Sequence, residues 1–245
     1  MSPKYARFAT AAAMPAVVLV ALLLAVPSAR AQAQAQGAVA RTEMVAPDAL
    51  VKTVTLEVVD IIQKDKDIQV GGADAKKKVI ALIETKVLPH FNFQAMTSSA
   101  VGRNWEKANP EQKARLIEEF KTLLVRTYAS ALASYSSQKF DFRPLRAKPT
   151  DTDVTVNVRV MQSGNQPVTI DYDMEKRANG WKVWDVRVGG ISLVANYRTE
   201  FDNLIRESGV DGLIKALQAK NNSLDRGTAA AGTAGAPAAA GAAKK

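Results

Sequence analysis

The chain has 245 residues, a formal net charge of +9, no cysteine and a single histidine. Without cysteine it cannot form disulfides, thiol nucleophiles or cysteine-ligated metal sites, and one histidine leaves few routes to metal binding or triad chemistry. The positive charge is spread along the chain rather than clustered, which is typical of a solvated surface and argues against a nucleic-acid partner.

The N-terminus has the pattern of a secretory signal peptide. Lys4 and Arg7 precede an apolar run at residues 11–26, and Ala29 and Ala31 form an A-x-A cleavage site. The apolar run is shorter than the roughly 20 residues that span a bilayer. We therefore predict cleavage near Ala31 and, because no cysteine is present to carry a lipid anchor, a free periplasmic protein.

Composition divides the rest of the chain into three parts. Residues 32–45 are expected to be flexible, residues 46–222 to form one folded domain, and residues 223–245 to be a disordered tail rich in alanine and glycine. The domain is long enough to be held together by its core alone.

The first half of the domain has helical periodicity. Pro47 begins a predicted helix that runs to residue 67, and Asp74 is the expected N-cap of a second helix, which Pro89 ends. Asn109 and Gln112 have the spacing of a capping box before a long helix that reaches about residue 136. Each helix has one apolar face.

Beyond residue 138 the period changes to two, as in strands. Apolar side chains alternate with polar ones at residues 140–142, 154–160 and 168–174, and the fourth strand covers residues 181–188. Gly164-Asn165 and Asn179-Gly180 are the predicted tight turns. The fold class is therefore α+β, with a twisted four-stranded antiparallel meander packed against several helices.

The fourth strand breaks the alternation. Trp181 and Val183 fall on one face, whereas Trp184, Val186 and Val188 fall on the other. Either the strand contains a bulge or both of its faces are covered. Two glycines follow and lead into a helix that we expect to end at residues 208–209, before a short final helix at residues 213–220.

Catalytic and non-catalytic interpretations remain open for a few polar residues. His90 is a lone histidine without a partner for catalysis, and Asp185 is a carboxylate whose direction depends on the bulge. Asp171 and Asp173 alternate with inward-pointing residues and should face water. A small enzyme, a partner-binding module with a solid core and a domain with an apolar cavity are all compatible with these patterns.

Several short motifs, taken in order, resemble the MlaC family, also called the toluene-tolerance auxiliary family. The resemblance covers about residues 47–222 and lies in these stretches: LPHFNF (88–93), GRNW (102–105), PEQ (110–112), LLVRTY (123–128), GWKVWDV (180–186), GISLVANYR (190–198) and GVDGLI (209–214).

The resemblance implies a function and a set of partners. It implies a monomeric periplasmic phospholipid carrier, not an enzyme, with a sheet of the nuclear-transport-factor-2-like kind and an apolar lipid cavity. The carrier would move lipid between an outer-membrane lipoprotein–porin complex and an inner-membrane ABC transporter with an MCE-ring subunit, and so maintain outer-membrane lipid asymmetry. No cofactor is implied apart from phospholipid as cargo, and a hopanoid or another lipid is the alternative cargo.

Inward spacing predicts which side chains form the wall of this cavity. Six come from the sheet and six from the helices: Val156, Val158, Ile170, Tyr172, Trp184 and Val186, with Tyr128, Leu132, Leu193, Val194, Tyr197 and Phe201.

Overall fold

A mixed arrangement of helices and one antiparallel sheet forms the domain, as the sequence predicted. The computed structural model describes residues 44–135, 137–161 and 166–226. The predicted signal peptide, the Gly164-Asn165 turn and most of the predicted tail lie outside these residues.

The sheet has five strands in the order β1-β2-β3-β4-β5, one more than predicted. The fifth strand is a two-residue segment between the Gly189-Gly190 turn and the last helix, too short to give a periodic signal. The strands are β1 (Lys139–Phe142), β2 (Asp153–Met161), β3 (Val168–Arg177), β4 (Gly180–Val188) and β5 (Ile191–Ser192).

Six α-helices accompany the sheet in the described residues, together with short π-helical and 3-10 turns between the third and fifth helices. The α-helices are α1 (Pro47–Lys64), α2 (Lys66–Val70), α3 (Ala73–Leu82), α4 (Phe93–Val101), α5 (Pro110–Tyr135) and α6 (Leu193–Asp225); the π-helix is Ile83–Val87, and the 3-10 segments are Leu88–His90 and Gly102–Lys107.

Capping explains where several helices begin. The backbone N–H of Gln112 donates to Asn109 Oδ1 at 2.8 Å, and the N–H of Asn109 donates to Gln112 Oε1 at 3.0 Å, so the predicted capping box is confirmed. The predicted first helix is divided, because Asp65 accepts bonds from the N–H groups of Asp67 and Ile68 and so begins α2. The prediction that Asp74 caps the next helix is wrong, since Gly72 is the N-cap.

The irregular fourth strand contains a β-bulge, one of the two predicted possibilities. Asp173 pairs with Asp185, but Met174 pairs with Val183, which leaves Trp184 as the extra residue. The extra residue shifts the alternation by one position. Residues that the sequence placed on opposite faces, such as Val183 and Val186, therefore belong to one apolar cluster.

The turn between β3 and β4 differs by one residue from the prediction. Arg177 pairs with Gly180, so the two turn residues are Ala178 and Asn179, and the glycine begins β4 with a φ angle of 111°. A residue with a side chain would be strained at this position, which explains the glycine without the predicted Asn-Gly turn.

Three apolar clusters form the core. The helix cluster joins α4, α5 and α6 through Phe120, whose ring lies 5.1 Å from Tyr197 and 5.2 Å from Phe201. The sheet cluster joins one face of the sheet to Val51 of α1, and the third cluster joins Val58 and other residues of α1 to α3, α5 and the π-helix. Helix α1 thus contributes to two of the three clusters.

Helix α6 changes direction at Gly209, where the backbone has φ 71° and ψ −177°. The predicted end of the helix therefore corresponds to a kink, and the following segment continues to Asp225, past the predicted end at residue 220. Its Asp211 accepts a hydrogen bond of 3.0 Å from the Gln112 side chain, which ties the kink to the start of α5.

A buried carboxylate joins the sheet to α6. Asp185 Oδ1 accepts from the N–H groups of Val186 at 2.8 Å and Val194 at 3.1 Å, and Oδ2 accepts from the Ser192 hydroxyl at 2.5 Å. Ser192 is also the N-cap of α6, accepting from the N–H of Ala195. A negative charge at a helix N-terminus is stabilised by the unpaired N–H groups and the helix dipole.

We predict that Asp185→Ala lowers the free energy of unfolding by about 3 kcal/mol, because three donors lose their acceptor in a buried site. Urea denaturation measures the loss. The matched control is Asp74→Ala, whose carboxylate is exposed and forms a surface ion pair with Lys77. Equal stability of the Asp185 variant and the control would contradict a structural role for this carboxylate.

Candidate functional site

An apolar cavity lies between α1 and the apolar face of the sheet, and it is the candidate functional site. Its volume is about 130 Å³. Sixteen residues line it: Leu50, Val51, Val54, Thr55, Val58, Val59, Ile62, Val87, His90, Phe91, Leu132, Phe140, Ile170, Tyr172, Met174 and Val183.

Helix α1 forms the largest part of the wall. Seven of the lining residues belong to it, from Leu50 to Ile62. With a rise of 1.5 Å per residue, this stretch is about 18 Å long. Most of these residues are valine, isoleucine and leucine, and they occur at the i, i+3, i+4 spacing of a helix that presents one apolar face.

The opposite wall is the apolar face of the sheet. Strand β3 supplies Ile170, Tyr172 and Met174, which are consecutive residues on one face, while β1 supplies Phe140 and β4 supplies Val183. Leu132 near the end of α5 lines the cavity as well. The 3-10 segment Leu88–His90 is fixed beside the sheet by the two residues that follow it. Phe91 forms a β-bridge with Val183, and the N–H of Asn92 donates to the Val183 carbonyl at 2.8 Å.

The other face of the sheet is polar and internally paired. Asn157 donates to Asp171, while Thr155 and Arg187 donate to Asp173 Oδ1 at 2.7 and 2.9 Å. These carboxylates lie on the face that does not line the cavity, but the prediction that both face water is wrong for Asp173, which is buried beneath its hydrogen-bond partners. Their partners are structural, and among the described residues no group of three or more histidine or acidic side chains is placed to hold a metal ion.

The structure places the twelve predicted wall residues in three different surroundings. Three of them, Leu132, Ile170 and Tyr172, line the cavity. The sheet cluster contains Val156, Val158, Val186 and Leu193, and the helix cluster contains Val194, Tyr197 and Phe201. Tyr128 packs against both clusters, and Trp184 is the half-buried bulge residue. Ligand contact stays a prediction for all twelve.

Sequence reasoning did not assign α1 to the cavity. The sequence shows that α1 has one apolar face, but the predicted wall residues come only from the sheet and from α5 and α6. The sequence does contain one signal that α1 has a special role. A helix with a single apolar face rarely contains so many β-branched residues on that face as Val51, Val54, Val58 and Val59.

His90 is one of three polar residues in the cavity wall. Burial lowers the pKa of His90, the charge of Lys182 lowers it further, and Glu57 opposes this change. The Lys182 ammonium group donates to the carbonyl of Pro89, the residue before His90. Glu57 accepts from Lys86 at 2.5 Å and so links α1 to the π-helix. Because the pKa of His90 is lowered from its ordinary value of 6.5, the imidazole is neutral at pH 7.

We predict that wild-type stability falls as the pH drops below 6.5, the ordinary pKa of histidine. Because the folded-state pKa is depressed, the unfolded chain binds the proton first, and protonation favours unfolding. His90→Gln should lose less stability between about pH 7.5 and about pH 5.5, as measured by thermal unfolding. Identical pH profiles for the two proteins would contradict this assignment.

The described helices include none that is long and apolar enough to cross a bilayer.

Comparison with known proteins relates this fold to lipid binding. The phospholipid-binding protein of Ralstonia solanacearum, solved in complex with a phospholipid, is 39% identical and superposes with a TM-score of 0.66, covering 72% of this chain and 97% of that one.

Two curated relatives are also similar. The intermembrane phospholipid transport system binding protein MlaC of Haemophilus influenzae is 23% identical over 158 residues, which are 62% of this chain and 74% of that protein. The toluene tolerance protein ttg2D of Pseudomonas putida is 30% identical over 49% of this chain and 60% of that protein.

The family model described as MlaC protein matches residues 52–219, which include all the strands and all but the start of α1 among the elements that enclose the cavity. The resemblance inferred from the motifs is thereby confirmed, and this chain belongs to the MlaC family.

Proposed function

We propose that this protein is a periplasmic phospholipid carrier. The acyl chains of the lipid bind in the cavity between α1 and the sheet. The observation that carries the proposal is the composition of the cavity wall, in which thirteen of sixteen residues are apolar. The solved relative from Ralstonia solanacearum, which contains a phospholipid, supports the same ligand class.

The dimensions of the cavity wall suit an acyl chain. The lining part of α1 is about 18 Å long, and one leaflet of a bilayer has a hydrocarbon depth of about 15 Å. A chain lying along α1 would therefore be covered over most of its length. The head group would remain at the mouth of the cavity.

The volume requires the cavity to expand when lipid binds. A cavity of about 150 Å³ holds a molecule the size of benzene, whereas pockets for larger ligands measure roughly 300–1,000 Å³. The present volume of about 130 Å³ is therefore too small for two acyl chains. We propose that α1 moves away from the sheet, because the side chains that join α1 to the sheet are apolar and can be replaced by an acyl chain.

Free-energy considerations agree with a carrier. Burial of the roughly 30 methylenes of a diacyl lipid from water would give about 24 kcal/mol, which exceeds any practical affinity. The lipid, however, comes from a bilayer that already shelters its chains, so the net transfer energy is close to zero. Such a protein can load and unload, and the direction of transport depends on its partners.

The proposed partners follow from the family. We propose that the protein exchanges lipid with an outer-membrane lipoprotein–porin complex and with an inner-membrane ABC transporter that has an MCE-ring subunit. The name of the Haemophilus influenzae relative, which assigns it to an intermembrane phospholipid transport system, supports this proposal. The predicted signal peptide supports a periplasmic location.

Native mass spectrometry of protein purified without added lipid tests the proposal. We expect an adduct with the mass of a phospholipid, and organic extraction should identify it. Val54→Trp places a large ring in the cavity wall and should weaken the affinity for lipid about tenfold, equivalent to about 1.4 kcal/mol, so that less of the protein carries the adduct.

The matched control is Leu56→Trp, which adds the same ring to the same helix at a position that is 45% exposed. This variant should retain lipid like the wild type. Wild-type protein that carries no lipid and takes up none from phospholipid vesicles would refute the proposed function.

A further inference from the structure

Three polar side chains interrupt the otherwise apolar cavity wall. They are Thr55 of α1, His90 of the 3-10 segment and Tyr172 of β3. None of them makes a hydrogen bond to another residue within the ranges that the structure describes. Burying a polar group among apolar side chains costs free energy unless the group makes a hydrogen bond. A ligand in the cavity can supply that hydrogen-bond partner.

The hydroxyl of Tyr172 differs from that of Tyr128, which is also unpaired. Tyr128 Oη is buried in the packed core without a hydrogen-bond partner, and Tyr128 is not among the residues that line the cavity. Tyr172 lines the cavity, so a molecule that occupies this space can reach its side chain. Burial raises the pKa of Tyr172 to about 12, which keeps the hydroxyl protonated and able to donate.

Thr55 and Tyr172 belong to opposite walls. Tyr172 lies in the middle of the sheet, paired with Val156 on one side and Val186 on the other. Thr55 lies between Leu50 and Ile62, the two ends of the lining stretch of α1. A ligand between the walls therefore meets hydroxyl groups part of the way along the cavity, with apolar side chains beyond them.

This arrangement has a chemical consequence for the ligand, and the argument rests on the proposed function. A ligand made only of hydrocarbon, such as a polycyclic terpenoid skeleton, would leave these donors unpaired. An acylglycerol carries ester carbonyl oxygens where its chains begin, and these oxygens accept hydrogen bonds. Sites with buried polar groups discriminate strongly against ligands that lack the matching group.

We propose that Tyr172, supported by Thr55 from the facing wall, donates a hydrogen bond to an ester carbonyl of the bound lipid. The cavity then selects ester-linked acyl lipids over lipids of the same shape without that carbonyl. Tyr172 is thus a specificity-determining residue, and the ester linkage is the part of the ligand that it reads.

The test compares dioleoyl phosphatidylethanolamine with its dialkyl ether analogue, which keeps the head group and chain length but lacks the carbonyl oxygens. Both lipids are offered together to delipidated protein, and native mass spectrometry measures the ratio of the two complexes. We expect the wild type to prefer the ester lipid about tenfold. Tyr172→Phe should bring the ratio close to one, and Thr55→Val should lower it partly.

The control variant is Ile170→Val, which trims the apolar residue two positions before Tyr172 in the same wall. It should weaken binding of both lipids but preserve the ratio. Thermal unfolding verifies that Tyr172→Phe folds like the wild type.

The results distinguish failure of this inference from failure of the proposed function. If the wild type binds both lipids equally, or if Tyr172→Phe keeps the full preference, the inference is wrong while lipid carriage stands. If the wild type binds neither lipid, the proposed function fails and the inference fails with it.

Discussion

The apolar contact between α1 and one face of the sheet is the interaction that builds the candidate site. It forms the two facing walls of the cavity, and it uses apolar side chains that have no preferred partner beyond another apolar surface. Such contacts are strong in sum but non-directional. They can therefore be exchanged for contacts with a hydrocarbon chain at little cost, which hydrogen bonds between α1 and the sheet would not permit.

The polar face of the sheet has the opposite character. Asp173 and Asp185 are buried and fully engaged with neighbouring donors, and Arg187 spans Asp171 and Asp173. Directional bonds of this kind fix the register of β2, β3 and β4 and attach α6 to the sheet. The sheet thus provides a wall braced by hydrogen bonds and ion pairs, so the proposed expansion of the site falls to the helix that faces it.

The sequence predicted the sheet well because its evidence is local. The alternation from Val154 to Val160 can be recognised from residues two positions apart. The capping box at Asn109 can be recognised within four residues. The break in alternation near Trp184 is also local, and the bulge is one of the two explanations that it allowed. The two-residue strand β5 was not visible, since two residues carry no period.

The partner of each apolar helix face could not be predicted, because periodicity shows which face is apolar but not what covers it. The stripes of α5 and α6 pack largely on one another through Phe120 and Phe201, and the shorter stripe of α1 lines the cavity. Only long-range packing decides between these arrangements. For the same reason, three of the twelve predicted wall residues line the cavity and nine lie elsewhere.

If α1 moves away from the sheet to admit lipid, as proposed, the distance between a spin label on α1 and another on the sheet must increase. The chain contains no cysteine, so Leu56→Cys on the exposed side of α1 and Arg159→Cys on β2 would carry the only labels. The account predicts that the distance between the labels increases when delipidated protein is loaded with dioleoyl phosphatidylethanolamine. Full lipid binding with an unchanged distance would contradict it.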